Sequence, residues 1–394
     1  MCIDRIFCAL TLLRNDLTDY CMKKEVVRTR VCITIDTEFS IGGAFTDQAK
    51  QPVAEPLVWC NVEGRSEGLG FMLDTFRRYG IQGTFFVETL QRHYFKHDPM
   101  RPIAQKIHAE GHEVQLHSHP CWTMFQDADW WNKSRGERVN DDMSKRSVED
   151  AVALIAQGID TFSKWGIPRP RVYRSGNLHH GENLYRALAA SGIPYSSNIG
   201  VAIHDSGQAD YRLYSGQHDR HGVKEYPVLS FSDWRIGAKQ KIKSLTIAGS
   251  SFAETRRLLE LARSNGIPLV VVLTHPFEFV QNRDLAFRQT RRNALTQARL
   301  EKLCAFLQQN SDRFAASGLA SAADALPPTQ APENRLLKGV LRHTLPRMAT
   351  QVAYDKFGRW MLARQFRTSA TDNLREDAED RPGTSPAAIR THRS

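Results

Sequence analysis

The chain contains no Cys-x-x-Cys, and its seven cysteines (Cys2, Cys8, Cys21, Cys32, Cys60, Cys121 and Cys304) are odd in number and scattered. That usage argues against a disulfide framework and suits a reducing compartment. No run of about 18 apolar residues occurs, so no spanning helix is expected. The opening MCIDRIFCALTLL has a short apolar run, but Asp4 interrupts its approach, no basic cluster precedes it, and Arg14, Asn15 and Asp16 stand where small cleavage-site residues belong. It reads as a poor signal peptide. Residues 1–30 are taken as an N-terminal extension, with Met22-Lys23-Lys24 a natural alternative start. No internal repeat is visible. A nucleic-acid-binding core is also not indicated. The net charge is +10, but Arg335 to Arg367 holds eight Lys and Arg against the single acid Asp355, which leaves the body only mildly basic.

What is present is ordinary core-forming material, 41% apolar and 24% charged over 394 residues. This is enough for one large α/β barrel. Strand-like runs at Val31–Ile35, Gly83–Val87, Glu113–Leu116, Arg171–Tyr173, Pro194–Ser197 and Leu269–Leu273 alternate with amphipathic stretches. The stretches run from Leu69 to Tyr79, Ile103 to Glu110, Ser147 to Trp165, Glu182 to Ala190 and Glu254 to Ser264. The repeated order of helix, glycine, strand predicts parallel β/α construction with left-handed glycine caps. Thr46 to Glu67 and Asp127 to Asp142 read as insertions. The body ends near Leu326, before the linker PPTQAP. From Asn334 to Arg367 the spacing of Leu336, Leu337, Val340, Leu341, Leu345 and Met348 among basic residues predicts an amphipathic helix broken at Pro346. Such a helix suits peripheral contact with an anionic membrane surface and, equally, packing back on the barrel with a solvated basic face. Thr368 to Ser394 is polar and expected to be disordered. The expected domains are thus 1–30, 31–326, 327–367 and 368–394.

Two strand ends carry the chemistry. VCITIDTEFS places Asp36 and Glu38 two residues apart, and QLHSHP does the same for His117 and His119. Side chains two apart on a strand share a face. Two carboxylates and two imidazoles meeting at a strand-lined mouth would bind a divalent ion and leave one carboxylate free as a base. A third strand ends in Leu273-Thr274-His275-Pro276. Together they make a hydrolase site the leading reading.

TIDTE, GIQGTFFVE, GHEVQLHSHP, VYRSGN and VVLTHP occur in the order and approximate spacing of the polysaccharide deacetylases, the NodB-like carbohydrate esterases, which the chain resembles from Val31 to Leu326. The resemblance implies a distorted, incomplete (β/α) barrel of the NodB-homology type, here with a C-terminal helical extension. It implies removal of N- or O-acetyl groups from sugars with a divalent metal, zinc in the first place. It makes Asp36 the base, Arg174 the residue that orients it and His275 the acid. Glu38, His117 and His119 become metal ligands of an H-x-H-P variant. Two departures stand out: Thr37 occupies the usual site of an aspartate ligand, and Cys121 that of the second histidine, so Cys121 competes with His119 as the third ligand. Asp233-Trp234 matches a groove motif only loosely. His179-His180 reads as a solvated loop. Trp122, Trp130 and Trp131 suit a sugar-stacking wall or core packing equally. The expected partner is an acetylated carbohydrate, an intermediate of cell-surface polysaccharide synthesis. The expected location is the cytoplasm, peripheral at the inner membrane face. Three other readings compete: a phosphoesterase barrel in which H-x-H ends the first strand, an amidase acting on a small amide, and a degenerate sugar-binding protein. Here H-x-H follows two strands and an acid pair, which disfavours the first.

Overall fold

Nine strands form one curled sheet in the computed structural model, which describes residues 28–136, 139–236, 239–327, 334–339 and 347. In chain order the strands and main helices are β1 (Thr29–Thr37), α1 (Leu69–Tyr79), β2 (Thr84–Glu88), α2 (Met100–Ala109), β3 (Glu113–Ser118), α3 (Val148–Trp165), β4 (Val172–Ser175), α4 (Glu182–Ala190) and β5 (Tyr195–Ser196). They continue with β6 (His218–Arg220), β7 (Val223–Glu225), β8 (Ser230–Ile236), β9 (Lys239–Ser244), α5 (Phe252–Ser264) and β10 (Leu269–Thr274). The last are β11 (Val280–Asn282), β12 (Thr290–Arg292), α6 (Ala294–Gln309), β13 (Phe314–Ala316) and β14 (Leu337–Lys338).

The sheet order is β10-β1-β2-β3-β4-β5-β7-β6, with β13 also on β1. Every pairing is parallel except the β6–β7 hairpin. Beyond β10, among the described residues, only isolated parallel bridges, Val228 to Val271 and Thr246 to Leu273, connect toward the small sheet β9-β8-β14. The barrel is therefore incomplete, as the sequence predicts. The strands are buried on both faces, which is why they read as continuous apolar runs: Val31, Cys32, Ile33 and Ile35 of β1 are all fully buried. Glycine caps appear as expected, for example Gly80 after α1 and Gly166 after α3, both left-handed at φ 63° and 71°. Such a conformation costs a side-chain-bearing residue energy that glycine avoids. Ser147 caps α3 through its side chain.

Two expectations need adjustment. The first insertion holds a short helix, Glu55–Trp59, and a two-residue hairpin. Where a helix was expected from Asn334, residues 334–339 run extended, and Leu337–Lys338 pairs in parallel with β8. Leu337 is buried there, so tertiary pairing overrides its helical spacing. Arg347 is helical. The remainder of 340–367, like residues 1–27 and the polar tail, lies outside the described residues. Among those described, no helix is long and apolar enough to cross a membrane.

Candidate active site and metal centre

All six predicted site residues meet at the carboxyl ends of adjacent strands. Asp36 lies on β1 and Glu38 just beyond it, His117 lies on β3 with His119 beyond, Arg174 is on β4, and His275 follows β10. Register explains the convergence: Glu88 of β2 pairs with His117, and His117 pairs with Arg174. His119 keeps extended backbone, φ −107° and ψ 100°, so both imidazoles stay on one face.

Asp36 is 4% exposed and Arg174 fully buried. Arg174 Nη1 donates to Asp36 Oδ1 at 2.7 Å and to Thr34 Oγ1 at 3.0 Å. Its Nε and Nη2 donate to the Ser197 carbonyl and hydroxyl at 2.9 and 2.8 Å. The Phe86 ring lies 4.1 Å from the guanidinium carbon. With its hydrogen bonds made on every side, the arginine can fix only one orientation of the carboxylate. Asp36 Oδ2 is left facing His275 Nε2 at 3.8 Å.

Glu38 Oε2 lies 2.9 Å from His117 Nε2 and 2.8 Å from His119 Nε2. The opposite ring nitrogens are committed elsewhere. His117 Nδ1–H donates to the Arg174 carbonyl at 2.9 Å, and His119 Nδ1–H to Asp141 Oδ2 at 2.7 Å. With those protons placed, neutral rings aim two Nε2 lone pairs and one carboxylate oxygen into the same space. That is a three-donor arrangement for a cation, with each histidine oriented from behind as in metal sites generally. The three donor atoms all lie within 4.8 Å of one another, and the set fits a divalent ion. Without a metal, burial disfavours charge on His119, yet Glu38 and Asp141 hold the ring well above its usual range, so a bound cation would displace the Nε2 proton. Burial likewise opposes an ionised Glu38, which the two histidines nonetheless hold well below the usual carboxylate range.

Three contributors were not among the predicted residues. Asp141, in the second insertion, holds His119 and also accepts from Asn177 Nδ2 at 2.8 Å and the Cys121 amide at 3.2 Å. Glu88, fully buried, accepts from the amides of Thr89, Leu90 and His119; burial pushes its carboxyl up to about 7. Glu278 reaches back to His275, whose ring Phe277 stacks against at 4.8 Å.

The competing thiol is also located. Cys121 Sγ, His119 Nδ1 and an Asp141 oxygen form a second close group. Burial first, then Asp141, raises the Cys121 thiol well above its usual range, and only a thiolate ligates well. His119→Ala is therefore expected to lose most bound metal, and Cys121→Ala to keep it. Elemental analysis of the two purified variants checks this, and the reverse result would make Cys121 the third ligand.

His179 and His180 bond to backbone carbonyls of Asp141 and Leu178 and belong to neither group. Trp122 is 1% exposed and packs on Phe95 and Phe125, so it is core. Trp130 packs partly buried on Phe125. Asp233, on the small sheet, accepts from Arg347 Nη2 through both its oxygens, at 3.1 and 2.9 Å.

Residues 63–196 match the family model described as polysaccharide deacetylase. That span includes His117, His119 and Arg174 but not Asp36, Glu38 or His275, which the fold brings to them. No curated protein sequence matches the chain. Among solved structures, similarity is found to a Mycobacterium smegmatis protein described as a polysaccharide deacetylase, at 16% identity, covering 79% of this chain and 96% of that one, TM-score 0.44. It is also found to a family 4 carbohydrate esterase from Streptomyces lividans in complex with acetate, at 12% identity, 79% and 98% coverage, TM-score 0.38. A third is the peptidoglycan deacetylase PdaC from Bacillus subtilis, at 13% identity, 76% and 92% coverage, TM-score 0.34.

Proposed function

We propose, from the match of residues 63–196 to the polysaccharide deacetylase family model, that this protein is a metal-dependent hydrolase removing an N-acetyl group from a sugar. The proposed substrate is an intermediate of cell-surface polysaccharide synthesis. One observation carries the reading. Two imidazole Nε2 atoms converge on Glu38 Oε2, while an arginine-anchored carboxylate and a histidine face each other beside them.

A divalent metal held by Glu38, His117 and His119, with zinc proposed, would supply a Lewis acid for the acetyl carbonyl and a water made acidic at neutral pH. The chain's own groups do the proton work. Arg174 occupies Asp36 Oδ1, so Oδ2 is the oxygen available to take the proton of the attacking water. As the carbonyl carbon gains the water oxygen and loses nitrogen, the departing amine needs a proton. His275 presents Nε2 toward the same space. Burial opposes its charge, but Glu278, Asp36 and Glu38 outweigh this and raise the ring to about 9, so it is protonated at neutral pH. A standing proton donor favours an amide over an ester, whose leaving group needs it less.

The test is acetate release from a panel of N- and O-acetylated sugars, with chelator and with zinc restored. N-acetyl sugars are expected to yield acetate, chelator to abolish it and zinc to restore it. Release only from small non-sugar amides would favour an amidase. Metal binding without turnover of any substrate would mark a sugar-binding protein.

A further inference from the structure

The turn after β10 runs His275-Pro276-Phe277-Glu278, one 3-10 turn that folds Glu278 back over its own start. Glu278 Oε2 accepts from Thr274 Oγ1 at 2.6 Å and from the His275 amide at 3.2 Å. These anchors sit on the last residue of the strand and on the residue that ends it, so the carboxylate is registered to the sheet. Its other oxygen, Oε1, lies 3.3 Å from His275 Nδ1. On the other side, the Phe277 ring stacks on the imidazole with an interplanar angle of 29°. The imidazole is thus held at its back nitrogen and on one face, and only Nε2 points toward Asp36.

We infer that Glu278 is a positioning residue for the reaction: it pins His275 through Nδ1 so that Nε2 carries its proton toward the leaving group. The inference rests on the functional reading above, in which His275 is the acid. A carboxylate hydrogen-bonded to one imidazole nitrogen decides which tautomer and which charge the other presents. The groups facing His275 are Glu278 from its own turn, Asp36 from β1 and Glu38 just beyond it, with Arg174 behind Asp36. Glu278 is the nearest carboxylate to the ring, 3.3 Å against 3.8 Å for Asp36.

The experiment is a pH titration of the His275 ring by NMR in zinc-loaded protein with labelled histidine, assigned with His275→Ala. Wild type is expected to titrate above the ordinary imidazole range. Removing the adjacent charge with Glu278→Gln is expected to lower the midpoint by about one to two units, the usual scale for a lost close carboxylate. Glu278→Asp keeps the charge and is expected to stay near wild type. In kinetics, E278Q is expected to lose more rate on an N-acetyl sugar than on an activated acetate ester, with zinc content unchanged. An unmoved E278Q midpoint, or equal shifts in E278Q and E278D, overturns the inference. Should E278Q not fold, Glu278→Ala removes the same charge, and an unmoved midpoint there overturns it equally. The titration needs no substrate, so a protein that releases no acetate at all would sink the functional reading while leaving this result separately readable.

Discussion

Asp36→Asn is expected to lower turnover by about two to four orders of magnitude while bound metal stays at wild-type level. The amide keeps the shape of the carboxylate and can still accept from Arg174 Nη1 through its oxygen, the contact that measures 2.7 Å in the native protein. What it loses is the ability to take a proton at the second position. The proposed metal-binding atoms belong to Glu38, His117 and His119, so elemental analysis should show no loss. Glu38→Gln makes the contrast, because its Oε2 is the atom on which both histidines converge, and weaker metal retention is expected there. Acetate-release rates and metal content measured on both variants decide the assignment. If D36N loses metal and E38Q keeps it, base and ligand must be exchanged.

Gly176→Ala is the second large effect, and it comes from a residue with no functional group. A Cβ built there would lie 2.4 Å from His119 Nδ1 and 2.5 Å from its Cε1. Real Cβ contacts are not that short, so something must move. The imidazole is poorly placed to yield, since Asp141 holds one side of it and Glu38 lies against the other. Gly176 has no left-handed φ, so alanine fits the backbone and the conflict is with the ring alone. Metal affinity is expected to fall by about 10- to 100-fold, as for loss of a residue that orients a ligand, and activity with it. The fold should persist, since overpacking costs about 1–3 kcal/mol. Competition with a zinc-binding dye measures the affinity and thermal unfolding checks the fold. Unchanged affinity would show that His119 has another productive position.

The fold and the meeting of the six residues were legible for one reason: parallel strands buried on both faces print apolar runs, and polar side chains end them. Asp36, Glu38, His117 and His119 could be paired because strand geometry fixes neighbours two apart. What supports them is legible only in space. Asp141 lies 22 positions after His119 in a loop, with no local pattern to single it out. Glu278 had a weak signal, a carboxylate three residues after the residue that opens a turn, the spacing of a capping box. Gly176 sits in VYRSGN, a motif quoted for its arginine, and its need for emptiness appears only when the His119 ring is placed beside it. Strands β6 and β7 are short, β8 and β9 are partly polar, and all four gave little periodicity. The leucines near residue 337 did have a helical period, which the open edge of β8 overrode.

That edge bears on where the catalytic unit ends. Asn334 bonds to the backbone of Arg212 and Tyr214, Leu337–Lys338 lies along β8, and Arg347 bridges Asp233 and Glu254, each of which is about 95% shielded from solvent. A cut at Leu326, where composition changes, would remove the cation from between two buried anions, a loss of about 3–5 kcal/mol for pairs of this kind. It would also bare a row of strand amides and carbonyls able to recruit another chain. Residues 334–339, beyond the proline-rich linker, are in effect a splint along the small sheet beside the barrel, and a shortened version would be expected to clump before it failed to bind metal.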